Sequence, residues 1–437
     1  MAGLAGLAIK KGYKVTGQDK AYYPPMSEQL NLLGIRQNKT EEIINDLKIC
    51  DVVIIGNSQS RGIESVEYTL NNQLKYFSGP EWIRKYILND KFVFVVSGTH
   101  GKTTTTSMLI KILQENNLDP SYILGGIHLE EKISYKFTKS KYFIIEGDEY
   151  DTSFFDKRSK YIHYHPNILV INNIEFDHAD IFENIDAVIK NFHHLIRIVP
   201  KSGKIIYNQD DKNIIKMIRK GIWSKKISLT SKGHKNADWS FSRKANNFYL
   251  KKINVKLMHE KRIDSSLMGV HNYKNISLAI LASIQAGVSF SKCIEAIKEF
   301  KGVKRRMEKV EDKGDIKIYD DFAHHPTEIE SSIKSLKENF KGKKILSICE
   351  IKSHSMISGA HKKDLPLALN NSHFSILIKS PLSKWTLHNK NKNLHIVSSY
   401  SKALDYIKTL EKKIDIILLM SNKSTIDLRN YIKNEKD

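Results

Sequence analysis

The residues best suited to chemistry are Gly98-Thr99-His100-Gly101-Lys102-Thr103-Thr104. The apolar, β-branched run Val93-Phe94-Val95-Val96 precedes them, and the helical pattern Ser107-Met108-Leu109-Ile110-Lys111-Ile112-Leu113 follows. A strand, a tight turn and a helix are therefore predicted, which is the context a phosphate cradle needs. Glycines let backbone N–H groups approach an anion, the helix N-terminus adds positive potential, and Lys102 supplies a point charge. The hydroxyl of Thr103 is placed to hold Mg2+. The usual phosphate loop would carry glycine at position 96, where Val96 stands, so this loop is a shorter and more specific form than Gly-Lys-Thr alone.

Two acidic clusters follow at predicted strand ends. Glu146-Gly147-Asp148-Glu149-Tyr150-Asp151 comes directly after Phe143-Ile144-Ile145, and Asn173-Ile174-Glu175-Phe176-Asp177-His178-Ala179-Asp180 after Leu169-Val170-Ile171. Ligands of open α/β sheets collect at the carboxyl ends of strands. Carboxylate, hydroxyl and imidazole groups there could hold the metal ions that phosphoryl transfer requires. Three further groups are candidates: His271-Asn272-Tyr273-Lys274-Asn275, Gly302-Val303-Lys304-Arg305-Arg306, and Tyr319-Asp320-Asp321-Phe322-Ala323-His324-His325-Pro326-Thr327. The first also reads as a helix start with Asn as N-cap. The second could clamp a phosphate with a guanidinium.

The elements that position these groups alternate strand and helix along three successive α/β segments, residues 1–88, 89–301 and 302–437, which argues for parallel sheets. In the first, Lys14 to Asp19 and Asp51 to Asn57 read as strands, and Asp19 could meet a ribose or sugar. Gly3 and Gly6 resemble the tail of a glycine-rich turn. In the third segment, strands are predicted over 344–349, 374–378 and 414–420. An apolar fraction of 41% suffices for cores across 437 residues. No run reaches the roughly eighteen apolar residues that span a bilayer. Neither a membrane partner nor a signal peptide is expected, and a cytoplasmic location is. Cys50, Cys293 and Cys349 lack metal-ligand spacing and read as buried free thiols. The net charge of +22 comes from lysines spread throughout, which argues against a nucleic-acid partner.

Taken in order, Gly-Thr-His-Gly-Lys-Thr, Glu-x-Asp-Glu, Asn-x-Glu-x-Asp-His, His-Asn-x-x-Asn, Gly-Val-x-Arg-Arg and Asp-Asp-x-x-His-His-Pro-Thr span nearly the whole chain. This series resembles the Mur ligase family, ATP-dependent amide-forming enzymes of cell-wall synthesis. Residues 149–160, 175–182, Tyr23-Pro24-Pro25-Met26-Ser27 and Ser60-Arg61-Gly62 resemble the branch that joins UDP-N-acetylmuramate to the murein tripeptide. A branch that adds L-alanine alone is the alternative, and a non-catalytic relative that keeps ATP binding is a third reading. The resemblance implies three domains: a Rossmann-like UDP-sugar domain over 1–88, a P-loop ATPase-like domain over 89–301, and a Rossmann-like amine or peptide domain over 302–437. It implies that Gly98, Thr99, His100, Gly101, Lys102, Thr103 and Thr104 bind ATP, with Thr103, Glu146 and His178 on Mg2+. It further implies that Asn272 and Asn275 meet the adenine side, Arg306 the γ-phosphate, and Asp320 or Asp321 the ribose. Lys102, Glu146, His178 and Arg306 are the implied catalytic residues. Two departures are expected to matter. A first strand and its glycine turn are missing ahead of Ala2, so weak UDP-N-acetylmuramate binding is expected. Ile351, His354 and the stretch after Met420-Ser421-Asn422 also differ from the branch, which puts peptide choice in question.

Overall fold

The computed structural model describes all residues except 20–21, 23–25, 39, 128, 131–132, 245–246, 254–259, 387–392, 411–412 and 434–437. Tyr23, Pro24 and Pro25 of the branch motif thus lie outside the described residues. The chain forms two compact units, one of Met1–Glu175, Ile185–Ser265 and Asn275–Phe300, the other of Phe176–Asn184, Ser266–Lys274 and Lys301–Asp437.

The first unit is built on a 10-stranded sheet. Its centre is Phe92–Ser97, parallel to Tyr142–Gly147 on one side and Ile168–Ile171 on the other. Val93 to Val96 are all buried, as a strand covered on both faces requires. Lys204–Asn208, Lys225–Thr230 and Trp239–Lys244 extend the parallel run. Asn247–Lys252 and Lys261–Ile263 close that edge in antiparallel fashion, and Tyr135–Lys136 closes the other beyond Ser121–Ile123. The helix Lys102–Glu115 is buried from Thr103 to Leu113, so it behaves as a core helix rather than an amphipathic one.

Residues 1–88 add two small parallel sheets, Thr16–Gly17 with Arg36–Gln37 and Val53–Ile55 with Tyr76–Ser78. Gly3 and Gly6 are not the tail of a turn. They lie inside the helix Ala2–Lys10, where a Cβ on Gly6 would come 2.1 Å from Tyr135 Cζ and one on Gly3 3.2 Å from Ile123. Small residues there let the helix sit directly on the edge of the large sheet. Cys293 and Cys349 are buried free thiols as expected, but Cys50 is exposed. It follows the helix Thr40–Ile49, whose end faces solvent.

The second unit carries a 6-stranded sheet in the order Glu308–Lys313, Ile316–Asp321, Ile416–Met420, Ile345–Glu350, Phe374–Ile378, Leu394–Val397. Only the first pair is antiparallel. Alternation along each strand divides the core. Tyr319, Ile345, Cys349, Leu377, Leu418 and Met420 pack with the helices Pro326–Asn339 and Asp364–Leu369. Ile318, Leu346, Ile348, Ile376, Ile417 and Leu419 pack with Tyr400–Leu410 and Ile426–Lys433. Helices on both faces make it a doubly wound α/β layer. Two excursions of the central segment, 176–184 and 266–274, pack with this unit. Among the described residues, no helix is long and apolar enough to cross a membrane.

Candidate active site

In the first unit, the strand Phe92–Ser97 runs into Gly98, and Gly101 caps the helix at a φ of 80°. A Cβ on Gly101 would lie 2.5 Å from Asn172 Nδ2 and 2.7 Å from Asn275 Oδ1, so only glycine fits. Those two amides bond each other at 2.6 Å and form the floor of the loop. The loop is fastened at its front as well. The His100 amide donates to Asn173 Oδ1 at 2.7 Å, the Thr99 amide to the Asn173 carbonyl at 3.2 Å, and Asn173 Nδ2 to the His100 carbonyl at 3.1 Å. Glu175 N donates to Thr99 Oγ1 at 2.9 Å. The amides of Thr99 and His100 are therefore committed to Asn173. The first N–H groups of the helix Lys102–Glu115, at Lys102, Thr103 and Thr104, precede the first intrahelical bond, as at any helix N-terminus, and could donate to an anion.

Lys102 Nζ donates to the Gly98 carbonyl at 2.8 Å and to Glu149 Oε2 at 3.0 Å, and lies 4.0 Å from Asp148 Oδ1. Burial opposes its charge, but Glu149 and Asp148 outweigh burial and hold its pKa above the ordinary lysine value. Thr103 Oγ1 donates to Glu146 Oε2 at 2.9 Å, and the Gly125 amide to Glu146 Oε1 at 2.8 Å. Burial, reinforced by Asp148, raises the Glu146 pKa. A desolvated carboxylate beside a hydroxyl gains by accepting a hard cation, so this donor set fits Mg2+. Glu149, Asn172 and Asn173 were not singled out as site residues from sequence. They flank the strand ends that were.

The second unit holds the remaining candidates. Arg305, at a φ of 59°, is locked: its Nη2 donates to the Ser421 carbonyl at 2.6 Å and its Nε lies 3.3 Å from Asp320 Oδ2. Arg306 is held more loosely, 3.9 Å from Glu328 Oε1 and 4.7 Å from the centre of the Phe322 ring, so it is the less committed guanidinium of the two. Asp320 also accepts from Thr425 Oγ1 at 2.6 Å. Asp321 accepts from Ser332 Oγ at 2.8 Å and the Ala323 amide at 3.1 Å. Each of the four carboxylate oxygens thus already has a donor, so a ribose hydroxyl would have to share an oxygen with one of them. Burial pushes Asp321 up to about 6, with Arg306 opposing.

His178 stands at a φ of 54°, a conformation a non-glycine residue adopts at a cost and often at functional turns. Its amide donates to Asp177 Oδ1 at 2.7 Å, and Ser355 Oγ donates to the same oxygen at 2.8 Å. Burial opposes ionisation of Asp177, yet His361, His178, His324 and His325 together hold its pKa well below the carboxylate range. Asn272 is not an N-cap: the helix spans Val270–Gln285, and Asn272 Nδ2 donates to the Met268 carbonyl at 2.7 Å. His271 is lowered to about 4 by burial and then by Lys274. Ser355 and Glu328 are contributors outside the motifs read from sequence, and the Ser355 contact with Asp177 spans 178 positions, so no local pattern marks it.

Three family profiles match the chain: Mur ligase family, catalytic domain, over residues 1–91; Mur ligase middle domain, over 96–283; and Mur ligase, glutamate ligase domain, over 305–423. The UDP-N-acetylmuramate–L-alanyl-gamma-D-glutamyl-meso-2,6-diaminoheptandioate ligase of Haemophilus influenzae is 38% identical over 433 residues, covering 97% of this chain and 94% of its own. The ligase of the same name from Escherichia coli is 36% identical over 429 residues, covering 97% and 93%. The crystal structure of a murein peptide ligase from Psychrobacter arcticus aligns with a TM-score of 0.76 at 32% identity, over 100% of this chain and 97% of its own.

Proposed function

The chain belongs to the Mur ligase family, and from that premise we propose that it joins UDP-N-acetylmuramate to the tripeptide L-Ala-γ-D-Glu-meso-diaminopimelate at the expense of ATP. The observation that carries this reading is the pairing of Lys102 and Thr103 with buried carboxylates in a chain that aligns end to end with tripeptide ligases. The lactyl carboxylate attacks the γ-phosphorus of ATP, ADP leaves, and an acyl phosphate forms. The tripeptide α-amine then attacks that carbonyl and phosphate departs. No protein nucleophile is consumed, so the residues act by positioning and electrostatics. The three segments would divide the work as sugar-nucleotide, ATP and peptide domains. Such an enzyme would serve peptidoglycan recycling.

In this scheme Lys102 leaves Glu149 for the β- and γ-oxygens, the helix amides at 102–104 hold the same phosphates, and Arg306 adds a guanidinium. Thr103 and Glu146 would hold Mg2+, which supplies charge neutralisation on the triphosphate when bound. His178 is a further proposed metal ligand. Asn275 acts from beneath the loop.

The test measures ADP release by the full chain with UDP-N-acetylmuramate and either the tripeptide or L-alanine as amine. Faster turnover with the tripeptide, lost by on the order of 10²-fold or more in Lys102→Ala, is the expected result. Preference for L-alanine would overturn the peptide assignment, and near-normal ligation by Lys102→Ala would remove the phosphate loop from the mechanism.

A further inference from the structure

We propose that Lys160 is a positioning residue for the phosphate-loop lysine: it supplies the counter-charge that Asp148 requires when Lys102 turns towards a triphosphate. This rests on the ATP-dependent reading above. Four charged groups of the first unit lie in a row. Lys102 Nζ is 3.0 Å from Glu149 Oε2 and 4.0 Å from Asp148 Oδ1. The other Asp148 oxygen accepts from Tyr150 Oη at 2.8 Å and lies 3.7 Å from Lys160 Nζ. The same ammonium sits 4.1 Å from the centre of the Tyr150 ring.

An ammonium has three donors, and Lys102 already spends two of them on the Gly98 carbonyl and Glu149, so reaching a triphosphate draws its charge away from the carboxylates. When it moves, Asp148 and Glu149 are left as adjacent negative charges, with Glu149 only 2% exposed. That repulsion opposes binding of the anionic nucleotide unless another cation stays behind. Tyr150 cannot provide it. Burial and the neighbouring Asp148 raise its pKa well above the ordinary tyrosine value, so it remains a neutral donor. Lys160 can, because its place is already fixed. Its amide donates to the Tyr150 carbonyl at 3.2 Å, it opens the short 3-10 turn Lys160–His163, and the Tyr150 face confines its ammonium beside Asp148. The charges alternate as Glu149, Lys102, Asp148 and Lys160, so the inner cation, Lys102, can leave while Asp148 keeps a cation beside it.

The experiment is a mutant cycle on the full chain using Lys160→Met, Lys160→Arg, Asp148→Asn and the Lys160→Met/Asp148→Asn double variant. Lys160→Met should raise KM for ATP about 10-fold while KM for UDP-N-acetylmuramate changes by less than about 2-fold. Lys160→Arg should restore most of the loss. The double variant should recover much of the ATP affinity, because no Asp148 charge remains to be neutralised. If Lys160→Met instead raises KM for the sugar nucleotide, Lys160 is a direct substrate ligand and the proposal is wrong. A double variant as poor as Lys160→Met, or poorer, also overturns it. ATP affinity by calorimetry reads the same cycle without turnover. Failure of tripeptide ligation would sink the functional reading yet leave this coupling measurable.

Discussion

Replacing Asp321 by Asn is expected to change how the stability of the second unit responds to pH between about 4 and 6. Burial, opposed by Arg306, moves the Asp321 carboxyl from the ordinary value of 3.8 up to about 6. Across that window the folded chain keeps a proton that the unfolded chain has released. Stability therefore falls as pH rises, and above the folded pKa the full cost is present, about 3 kcal/mol. His271 runs the other way. Burial and Lys274 lower it from 6.5 to about 4, so the unfolded chain binds a proton that the folded chain refuses. Its contribution is present above 6.5 and is lost as pH falls; partial exposure of the ring reduces it to about 2 kcal/mol. In the native chain the two slopes oppose each other, so single replacements uncover them. The stability of Asp321→Asn minus that of the native chain should climb by about 2 kcal/mol from pH 4 to 6, while the difference for His271→Gln should fall by about 1 kcal/mol. Hydrogen exchange of the Ile345–Glu350 amides in graded urea reads the second unit directly, and subtraction cancels every other titration. Difference curves that stay flat across this range would refute the assignment of buried, oppositely displaced groups.

Gly101→Ala should cost about 3 kcal/mol, from the left-handed backbone and the parting of the Asn172–Asn275 bond, and should weaken ATP binding more than about 10-fold. Thermal unfolding and nucleotide calorimetry check both, and retention of both would mean the floor of the loop yields. Glu146→Gln should leave the fold intact while raising the Mg2+ needed for half-maximal turnover about 10-fold or more; an unchanged Mg2+ titration would make Glu146 a mere brace for Thr103.

What could be read from the chain, and what could not, follows the distance over which each feature is decided. The phosphate loop was legible because six residues and their flanks determine it: β-branched residues make the strand, Gly101 takes the positive φ, and Lys102 and Thr103 open the helix. The strands of the second unit were legible because alternate residues enter separate cores, so both faces are buried and the central strands read as continuous apolar runs. Gly3 and Gly6 misled because glycine marks turns and close approaches alike, and only the position of Tyr135 distinguishes them. The acidic cluster at 146–151 was visible as charge, but which acid meets which group depends on the loop lying beside the strand end. Glu146 takes Thr103, Glu149 takes Lys102 at the shorter distance, and Asp148 lies between Lys102 on one side and Tyr150 and Lys160 on the other. Adjacent arginines at 305 and 306 are equivalent in a motif. The fold makes one a strut to Ser421 and leaves the other beside Glu328. The Asp177–Ser355 bond joins residues 178 positions apart, and no local pattern encodes it. Residue type and spacing therefore nominate the chemistry, while sheet order decides which nominated groups are tied into the framework and which stay able to exchange a protein partner for a substrate. In the proposed reading Lys102 belongs to the second kind: a cation held by two carboxylates is drawn away by a triphosphate at lower cost where a second cation stays, and Lys160 would do this for Asp148.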